Sequence, residues 1–265
     1  MIIVFWILAV FLVAGFIYFT IRIIIYRWAK TYRRWGRVLT ENLLIEEKEF
    51  KISEAITIKG WSYGSTDFID YEYKMPGVIV LPRRDRKYPY FEHWAAHFAL
   101  QGYPTLAIEV YDKNLSIDEF VNKYRPILRQ IKQEFVQDPR IDTNKLIYFG
   151  VEDSAKVAVL EGLKDENVKI ICGISMPRIE DTEIQENKGD TNIYLVHCKN
   201  DKVVPISDFK HNRELLNIPE NDYVVFELGG HHILSQEPIS AAYFSIRIKD
   251  KLQPKYKLIE KKEIA

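Results

Sequence analysis

Hydrophobic residues change their spacing several times along the chain, and each change marks a boundary between predicted elements. Residues 2–21, IIVFWILAVFLVAGFIYFTI, carry no charged side chain. At ~1.5 Å rise per residue, a helix of this length spans roughly 30 Å, which is the thickness of the hydrocarbon core of a bilayer. The pattern therefore predicts a transmembrane anchor at residues 1–26.

A basic stretch follows this apolar segment. Its basic residues, with no acidic residue before Glu41, are Arg22, Arg27, Lys30, Arg33, Arg34 and Arg37. Lysine and arginine beside a membrane span stay on the cytoplasmic side. We therefore predict a single-pass protein of the cell membrane, with its N-terminus outside and its remainder in the cytoplasm. Residues 27–48 begin basic and end acidic, and we predict that they form a helical juxtamembrane connector.

Beyond residue 49, short apolar runs alternate with amphipathic segments. Apolar or alternating runs predict strands at residues 49–64, 67–75, 76–82, 103–112, 146–150, 168–177, 191–201 and 222–232, of which the first two form an antiparallel edge. Helical spacing predicts helices at residues 90–103, 116–139, 155–160, 205–218 and 235–252. This alternation is typical of the α/β class, in which helices cover both faces of a mostly parallel sheet. We predict one domain at residues 49–253 and a tail at 254–265.

The helix predicted at residues 116–139 carries its own start signal and a potential break. Ser116 and Glu119 have the spacing of a capping box, in which each side chain binds the backbone of the other residue. Pro126 lies inside the helix and should bend or divide it, because proline lacks the backbone N–H that a helix needs.

Composition narrows the class of partner. The chain has 37 basic and 37 acidic residues, so its net charge gives no reason to expect nucleic acid as a partner. Anionic lipid headgroups are the simpler partner for the local basic stretch, with nucleic acid as the competing interpretation. Cys172 and Cys198 lie in apolar, strand-like segments, which predicts buried thiols.

One stretch, LIYFGVEDSAKVAVLEGL from Leu146 to Leu163, has the pattern of a strand, a sharp turn and a helix. In serine hydrolases such a turn has the sequence G-x-S-x-G and presents the catalytic serine at its tip. Here Gly150 matches the first glycine, Glu152 stands at the position of the serine, and Ser154 stands at the second glycine. The stretch therefore predicts a catalytic-type turn with a carboxylate at its tip.

Four features in order resemble the α/β-hydrolase fold, and in particular its small lidless branch. That branch contains the dienelactone hydrolases and the C-terminal domains of the acyl-CoA thioester hydrolase–bile acid acyltransferase group. The features are GVIVLP followed by EHWAAHFALQGYPTLAIEVYD, the turn YFGVEDSAKVAVLEG, the segment IYLVHCKNDKVVPI, and the segment ELGGHHILSQ. The resemblance covers nearly all of the chain after the connector and implies an α/β-hydrolase-like domain.

The resemblance also implies positions for a catalytic triad. Glu152 would occupy the nucleophile position, Asp201 that of the acid, and His231 that of the base, with His232 as the alternate base. The family's loop after the third strand helps to form the oxyanion hole, and Asp153, Arg83 and Arg84 occupy the corresponding region here. That loop has the sequence LPRRDRKYP and contains no glycine, which is a second departure from the family pattern.

Three chemical interpretations follow for this site. Glu152 and Asp201 could flank His231 and pair with Arg83 or Arg84, because two carboxylates favour the charged imidazolium and make it a poor base. Glu152 could instead act on an ester or thioester, either as the nucleophile or as the base for a water molecule. Ser154 could serve as a shifted nucleophile, although its side chain should face the packing interface.

The leading prediction is a membrane-anchored, cytoplasm-facing α/β-hydrolase-like protein that has lost catalysis and acts in binding or assembly at the membrane. The alternative is an active ester or thioester hydrolase that uses Glu152, Asp201 and His231. We expect the lipid bilayer as a partner, with a membrane-associated protein and a small acyl or carboxylate-bearing ligand as further candidates. We expect no cofactor and no metal site, since the pair His93 and His97 lacks a third ligand in the sequence.

Overall fold

The computed structural model describes residues 11–24, 41–68, 74–88, 92–184, 189–231, 233 and 236–252. Within these residues, eight strands are present: β1 Leu43–Lys51, β2 Thr57–Ser65, β3 Met75–Leu81, β4 Thr105–Ile108, β5 Ile141–Val151, β6 Val168–Ile174, β7 Asn192–Cys198 and β8 Tyr223–Phe226. The α-helices are α1 at residues 11–24, α2 Glu92–Ala99, α3 Ile117–Phe135, α4 Asp153–Gly162, α5 Ile206–Leu215 and α6 Glu237–Leu252. Short 3₁₀ helices lie at Thr66–Phe68, Asp181–Glu183 and Glu220–Asp222.

The strands form one sheet in the order β1-β2-β4-β3-β5-β6-β7-β8. Strand β2 runs antiparallel to its neighbours β1 and β4, whereas all pairs from β4 through β8 are parallel. The parallel strands therefore end on the same side of the molecule, and we call that side the carboxyl edge. The mostly parallel α/β sheet predicted from the sequence is confirmed.

Two buried apolar clusters cover the two faces of the sheet. In β3, Val78 and Val80 belong to the cluster that also contains side chains of α2 and α6. Ile79 and Leu81 belong to the other cluster, with side chains of α3, α4 and α5. Successive side chains of a strand point to opposite faces, so a fully apolar strand is buried on both sides. Each such side chain contributes about 1.5–3 kcal/mol through burial.

Helix α3 begins at the predicted capping box and is continuous. The Ser116 hydroxyl accepts a hydrogen bond from the backbone N–H of Glu119, and the Glu119 carboxylate accepts one from the backbone N–H of Ser116. Pro126 lies inside the single helix Ile117–Phe135, so the predicted alternative of a divided helix is wrong. The buried residues on both sides of the proline, such as Phe120 and Ile131, hold the helix on the sheet despite the missing hydrogen bond.

Two predictions near the start of the domain are wrong. Strand β1 begins at Leu43, so the last part of the connector predicted as helix at residues 27–48 is strand. It pairs antiparallel with β2 from Leu43–Ser65 to Lys51–Thr57, and this pairing outweighs the weak strand propensity of its charged residues. The strand predicted at 67–75 is also wrong at its start, because Thr66–Phe68 is a 3₁₀ helix, whereas its last residue, Met75, begins β3. Residues 69–73 lie outside the described residues.

The helical residues 11–24 expose their apolar side chains, including Phe11, Phe16 and Phe19. Within the part of the chain that the structure describes, no helix is both long enough and apolar enough to cross a membrane. The predicted anchor at 1–26 includes residues 1–10 and 25–26, which lie outside the described residues, as do residues 27–40 and the tail at 254–265. The anchor therefore stays a prediction.

Candidate active site

Glu152 stands at a sharp turn between β5 and α4 at the carboxyl edge. Its backbone has φ 58° and ψ −125°, which is a costly conformation for a residue with a side chain. The turn is tight because α4 passes directly over the end of β5. A Cβ atom on Gly150 would lie 2.5 Å from the Cα of Ala155, so only glycine fits there. The predicted strand–turn–helix is present, and the turn presents the Glu152 side chain.

The loops after β7 and β8 bring Asp201 and His231 to this turn. Nε2 of His231 lies 2.9 Å from Oε1 of Glu152, and Nδ1 of the same ring lies 3.0 Å from Oδ2 of Asp201. Asp201 also accepts hydrogen bonds from the backbone N–H groups of Val203 and Val204, which fix its carboxylate. The structure thus brings together the three predicted triad positions, with the imidazole between two carboxylates. His232, the alternate base, lies outside the described residues.

The loop after β3 places two arginines on this site. Nε of Arg83 lies 2.9 Å from Oε1 of Glu152 and 3.1 Å from Oδ1 of Asp85. Nε of Arg84 lies 2.5 Å from Oδ2 of Asp153, and its Nη1 donates a hydrogen bond to the carbonyl of Leu115. The predicted oxyanion-hole region is therefore occupied by guanidinium–carboxylate pairs. We call Arg83, Glu152, Asp201 and His231 the charged cluster.

The two carboxylates decide the charge of the imidazole. Burial disfavours the protonated form of His231, but the hydrogen bonds and charges of Asp201 and Glu152 outweigh it and raise the pKa of His231 to about 9. Burial alone would raise the pKa of Asp201, but the bonds from His231 and from two backbone N–H groups lower it. At neutral pH the site therefore holds an imidazolium between carboxylates.

Asp153 stands at the first position of α4, beside Arg84. Burial raises the pKa of the Asp153 carboxyl, and the Arg84 guanidinium offsets this only in part. Because Asp153 begins α4, its backbone N–H has no partner within the helix, which is the usual situation at a helix N-terminus. This N–H is one of the two donors that the serine-hydrolase pattern would place in an oxyanion hole, the other coming from the loop after the third strand.

Backbone strain is concentrated around the charged cluster. Among the described residues, four that are not glycine have a positive φ: Glu152, Ser175, Asn217 and Ile233. Three of these lie at the site, because Ser175 follows β6 at the carboxyl edge and Ile233 lies two residues after His231. The Ser175 hydroxyl donates to the carbonyl of His231 at 3.5 Å. Such strain costs of order 1–3 kcal/mol per residue and tends to gather at functional sites.

Sequence reasoning did not identify Ser175. Its only signal is its position directly after an apolar strand, because a positive φ leaves no mark in the residue type.

Ser154 has a structural role. Its side chain is fully buried, and its hydroxyl donates to the carbonyl of Pro82 at 2.5 Å. The hydroxyl therefore ties the first turn of α4 to the loop that carries Arg83. With its hydrogen committed to Pro82 and no access to solvent, Ser154 is a poor candidate for the shifted nucleophile.

The two histidines of helix α2 contact side chains of helix α6. Nε2 of His93 lies 3.5 Å from Oε2 of Glu237, whereas Nε2 of His97 lies 2.7 Å from Oγ of Ser245. Burial lowers the pKa of His97 to about 4, so it is neutral at physiological pH. No group of three or more His, Cys, Asp or Glu side chains in the described segments could hold a metal ion.

The chemistry open to this arrangement follows from its charges. Protonation of the imidazole removes the lone pair that a general base needs, so the raised pKa of His231 makes it a weak general base at neutral pH. Glu152 needs no deprotonation, but Arg83 lies on its carboxylate and lowers its reactivity as a nucleophile. The cluster is well suited to hold a charged ligand by exchange of ion pairs, and less well suited to acyl transfer.

No protein-family model matches the chain, and no curated protein matches it. Solved structures do resemble it. A dienelactone hydrolase-like promiscuous phosphotriesterase from metagenomic libraries has a TM-score of 0.61 at 14% identity, over 79% of this chain and 98% of that chain. The esterase domain of a Rhodothermus marinus protein has a TM-score of 0.60 at 9% identity, over 80% and 99%. A protein assigned as a dienelactone hydrolase of Klebsiella pneumoniae has a TM-score of 0.59 at 13% identity, over 78% and 97%.

These identities are too low to transfer an activity, but the similarity extends over almost the full length of each compared structure. The predicted resemblance is confirmed at the level of the fold. The chain has the α/β-hydrolase fold of dienelactone hydrolase-like structures.

Proposed function

We propose that this chain is a membrane-anchored, cytoplasm-facing protein that uses an α/β-hydrolase fold for binding or assembly and does not carry out serine-type acyl transfer. The observation that carries the proposal is the position of Arg83, whose Nε lies 2.9 Å from the Glu152 carboxylate. The ligand that fits the cluster best is a small carboxylate-bearing or acyl molecule, which would exchange ion pairs with Arg83 and the His231 imidazolium.

Two features support binding over catalysis. The raised pKa of His231 keeps the imidazole protonated at neutral pH, so it lacks the lone pair that a general base needs. The loop from Arg83 to Arg86 contains no glycine and pairs its side chains with acids. Removing a single oxyanion-hole donor typically costs ~3 kcal/mol of transition-state stabilisation, and this loop departs further from the pattern.

The test uses the full chain in lipid nanodiscs. We expect no turnover of p-nitrophenyl butyrate or butyryl-CoA above the rate with empty nanodiscs. We also expect butyrate to shift the imidazole signals of His231 in an NMR titration, and Arg83→Ala to abolish that shift. Arg86→Ala is the matched control, since Arg86 belongs to the same loop and its Nε lies 3.6 Å from Asp85. Turnover that disappears in Glu152→Gln would refute the binding proposal.

A second candidate function is hydrolysis of an ester or thioester through Glu152. The observation that favours it is the two-sided contact of His231, which retains the spacing of a working triad. The compared structures also favour this candidate, because they include an esterase domain and dienelactone hydrolase-like proteins. Glu152 would attack the substrate or activate a water molecule, with Asp201 holding the imidazole.

An ¹⁸O label in the Glu152 carboxylate would identify this residue as the nucleophile. If Glu152 forms a covalent intermediate that water opens at the glutamyl carbon, single-turnover reaction in ¹⁸O water should place one ¹⁸O atom in the Glu152 carboxylate. Mass spectrometry of the peptide that contains Glu152 detects it. General-base action would leave Glu152 unlabelled while the product carries the label. The absence of turnover would remove both modes.

The membrane anchor is part of the proposal and rests on the uncharged residues 2–21 and the basic stretch after them. The exposed apolar surface of α1 supports it. A reporter fused to the C-terminus should be active in the cytoplasm and inaccessible to protease added outside intact cells. An extracytoplasmic signal from that reporter would reverse the proposed orientation.

A further inference from the structure

One oxygen atom of Glu152 contacts both cations of the charged cluster. Nε of Arg83 and Nε2 of His231 each lie 2.9 Å from Oε1 of Glu152. Asp201 holds the other ring nitrogen of His231. Arg83 and the imidazolium are positive, whereas Glu152 and Asp201 are negative, so the charged cluster is neutral as a whole. A carboxylate ligand that pairs with Arg83 and His231 must take the place of this oxygen atom.

The charged groups around the cluster are balanced as well. Three ion pairs among the described residues lie next to it, and they are Arg84–Asp153, Arg86–Asp85 and Lys156–Glu183. Two titratable groups of β7, His197 and Cys198, interact with Asp201. Both are neutral at neutral pH, because burial lowers the pKa of His197 and raises that of Cys198 to about 11. These ion pairs and neutral groups supply no surplus positive charge for a further anion.

The backbone of Glu152 is fixed, so the residue cannot withdraw from the site as a whole. Its N–H donates a hydrogen bond to the carbonyl of Ile174 at 2.8 Å, and its carbonyl accepts one from the N–H of Ala155 at 2.9 Å. The side chains of Glu152 and Arg83 are each only 13% exposed. A displaced Glu152 carboxylate would therefore stay in a largely buried site, where an unpaired charge is costly.

A proton taken up with the ligand removes this cost. Two carboxylates in one site favour a state in which they share a proton, because each negative charge raises the proton affinity of the other group. With one proton between them, the ligand and Glu152 together carry one negative charge, as Glu152 does alone. The imidazole of His231 does not take up this proton, because its pKa of about 9 means that it is already protonated at neutral pH.

We propose that the charged cluster binds a small monocarboxylate together with one proton, which the ligand and Glu152 share in front of Arg83 and the His231 imidazolium. This inference rests on the ligand binding in the proposed function and adds what controls it. Occupancy then follows the concentration of the undissociated acid. The affinity for the ligand anion should fall about tenfold for each unit by which the pH rises.

The test measures proton uptake by calorimetry of the full chain in lipid nanodiscs, with butyrate as the probe. The titration is run in MES and in bis-Tris, because the two buffers release protons with different enthalpies and the difference gives the number of protons bound. At about pH 6 we expect about one proton per butyrate. From about pH 6 to 8, the NMR titration of His231 should give an affinity that falls about a hundredfold.

Two variants that change a carboxylate to an amide assign the proton. Glu152→Gln should bind butyrate at about pH 6 without proton uptake, because its amide is neutral and the imidazole beside Asp201 already carries a proton. Glu227→Gln is the matched control and should keep the uptake, since Glu227 follows β8 at the same edge but is 76% exposed and pairs with Lys199.

The outcomes separate this inference from the proposal on which it rests. Butyrate binding without proton uptake in the parent would mean that Glu152 turns out to solvent, and it would overturn the inference while leaving the binding proposal intact. Equal uptake in the parent and in Glu152→Gln would overturn it too, because the proton would then belong to another group. The absence of any butyrate effect on the His231 signals would overturn both.

Discussion

Nε2 of His231 and Oε1 of Glu152 lie 2.9 Å apart, at the place where a serine hydrolase pairs its base with a neutral hydroxyl. A carboxylate in place of a hydroxyl favours the protonated, positively charged form of the histidine. With Asp201 on its other nitrogen, the ring is held as a cation. The geometry of a triad is thus retained while the proton affinity of its base is raised, and this relationship can be tested in several independent ways.

The first prediction concerns the pH dependence of stability. The pKa of His231 is about 9 in the folded protein and about 6.5 when unperturbed, so the folded state holds its proton more tightly. The stabilisation is complete below about pH 6.5 and is lost as the pH rises through about 9. We expect the free energy of unfolding to fall by about 1–3 kcal/mol across this interval, as measured by urea denaturation.

The variant His231→Gln provides the control for this prediction. Without a titrating imidazole, the decrease in stability between pH 6.5 and 9 should disappear, and the loss of stability in acid should become smaller, because the His231 bond that lowers the pKa of Asp201 is gone. A variant that kept the same alkaline slope as the parent would assign the effect to other groups.

The second prediction separates two neighbouring arginines. In Arg83→Ala the carboxylate of Glu152 loses its guanidinium partner in a mostly buried site, which should cost about 1–3 kcal/mol of stability. Arg86→Ala removes a more exposed ion pair to Asp85 and should cost less than about 1 kcal/mol. Chemical denaturation of both variants gives the comparison. Equal losses would show that the pair between Arg83 and Glu152 contributes no special stability.

Some elements of the fold and of the site could be predicted from the sequence, and others could not. Strand β3, the capping box of Ser116 and the turn at Glu152 were predictable because each is a local pattern with its own physical cause. The order of nucleophile, acid and base positions placed Asp201 and His231 near Glu152. Their roles in chemistry remain predictions, since position alone does not set reactivity.

Other features depend on partners that the sequence does not reveal. Strand β1 contains many charged residues, and it forms because β2 offers a free edge to pair with. The positive φ of Ser175 arises where the chain leaves β6, and nothing in the residue type signals it. Arg83 pairs with Glu152, and Arg84 pairs with Asp153. This pairing depends on the backbone path of the loop after β3, which has no regular secondary structure.

The third prediction concerns the hydroxyl of Ser154. Ser154→Ala leaves the carbonyl of Pro82 without its buried donor, which should cost about 1–3 kcal/mol of stability. Ser207→Ala, at an exposed position of α5, should change stability by less than about 0.5 kcal/mol. Thermal or chemical denaturation measures both. An unaffected Ser154→Ala variant would mean that the hydrogen bond to Pro82 does not hold α4 to the Arg83 loop.

The fourth prediction asks whether serine chemistry can be restored. In Glu152→Ser the hydroxyl is two bonds shorter than the carboxylate that it replaces, so its oxygen should lie on the order of 2 Å farther from Nε2 of His231. A misplacement of about 1 Å already costs on the order of a hundredfold in rate. We therefore expect neither the parent nor Glu152→Ser to be labelled by a fluorophosphonate probe, as followed by gel fluorescence and mass spectrometry.

A purified serine esterase mixed into the same sample serves as the positive control for this labelling. If the introduced serine of the Glu152→Ser variant were labelled at the rate of that esterase, the site would keep a functional oxyanion hole, and Glu152 alone would prevent acyl transfer. Labelling of the parent at Ser154 would instead contradict the position assigned to the catalytic turn, because that hydroxyl is buried against the carbonyl of Pro82.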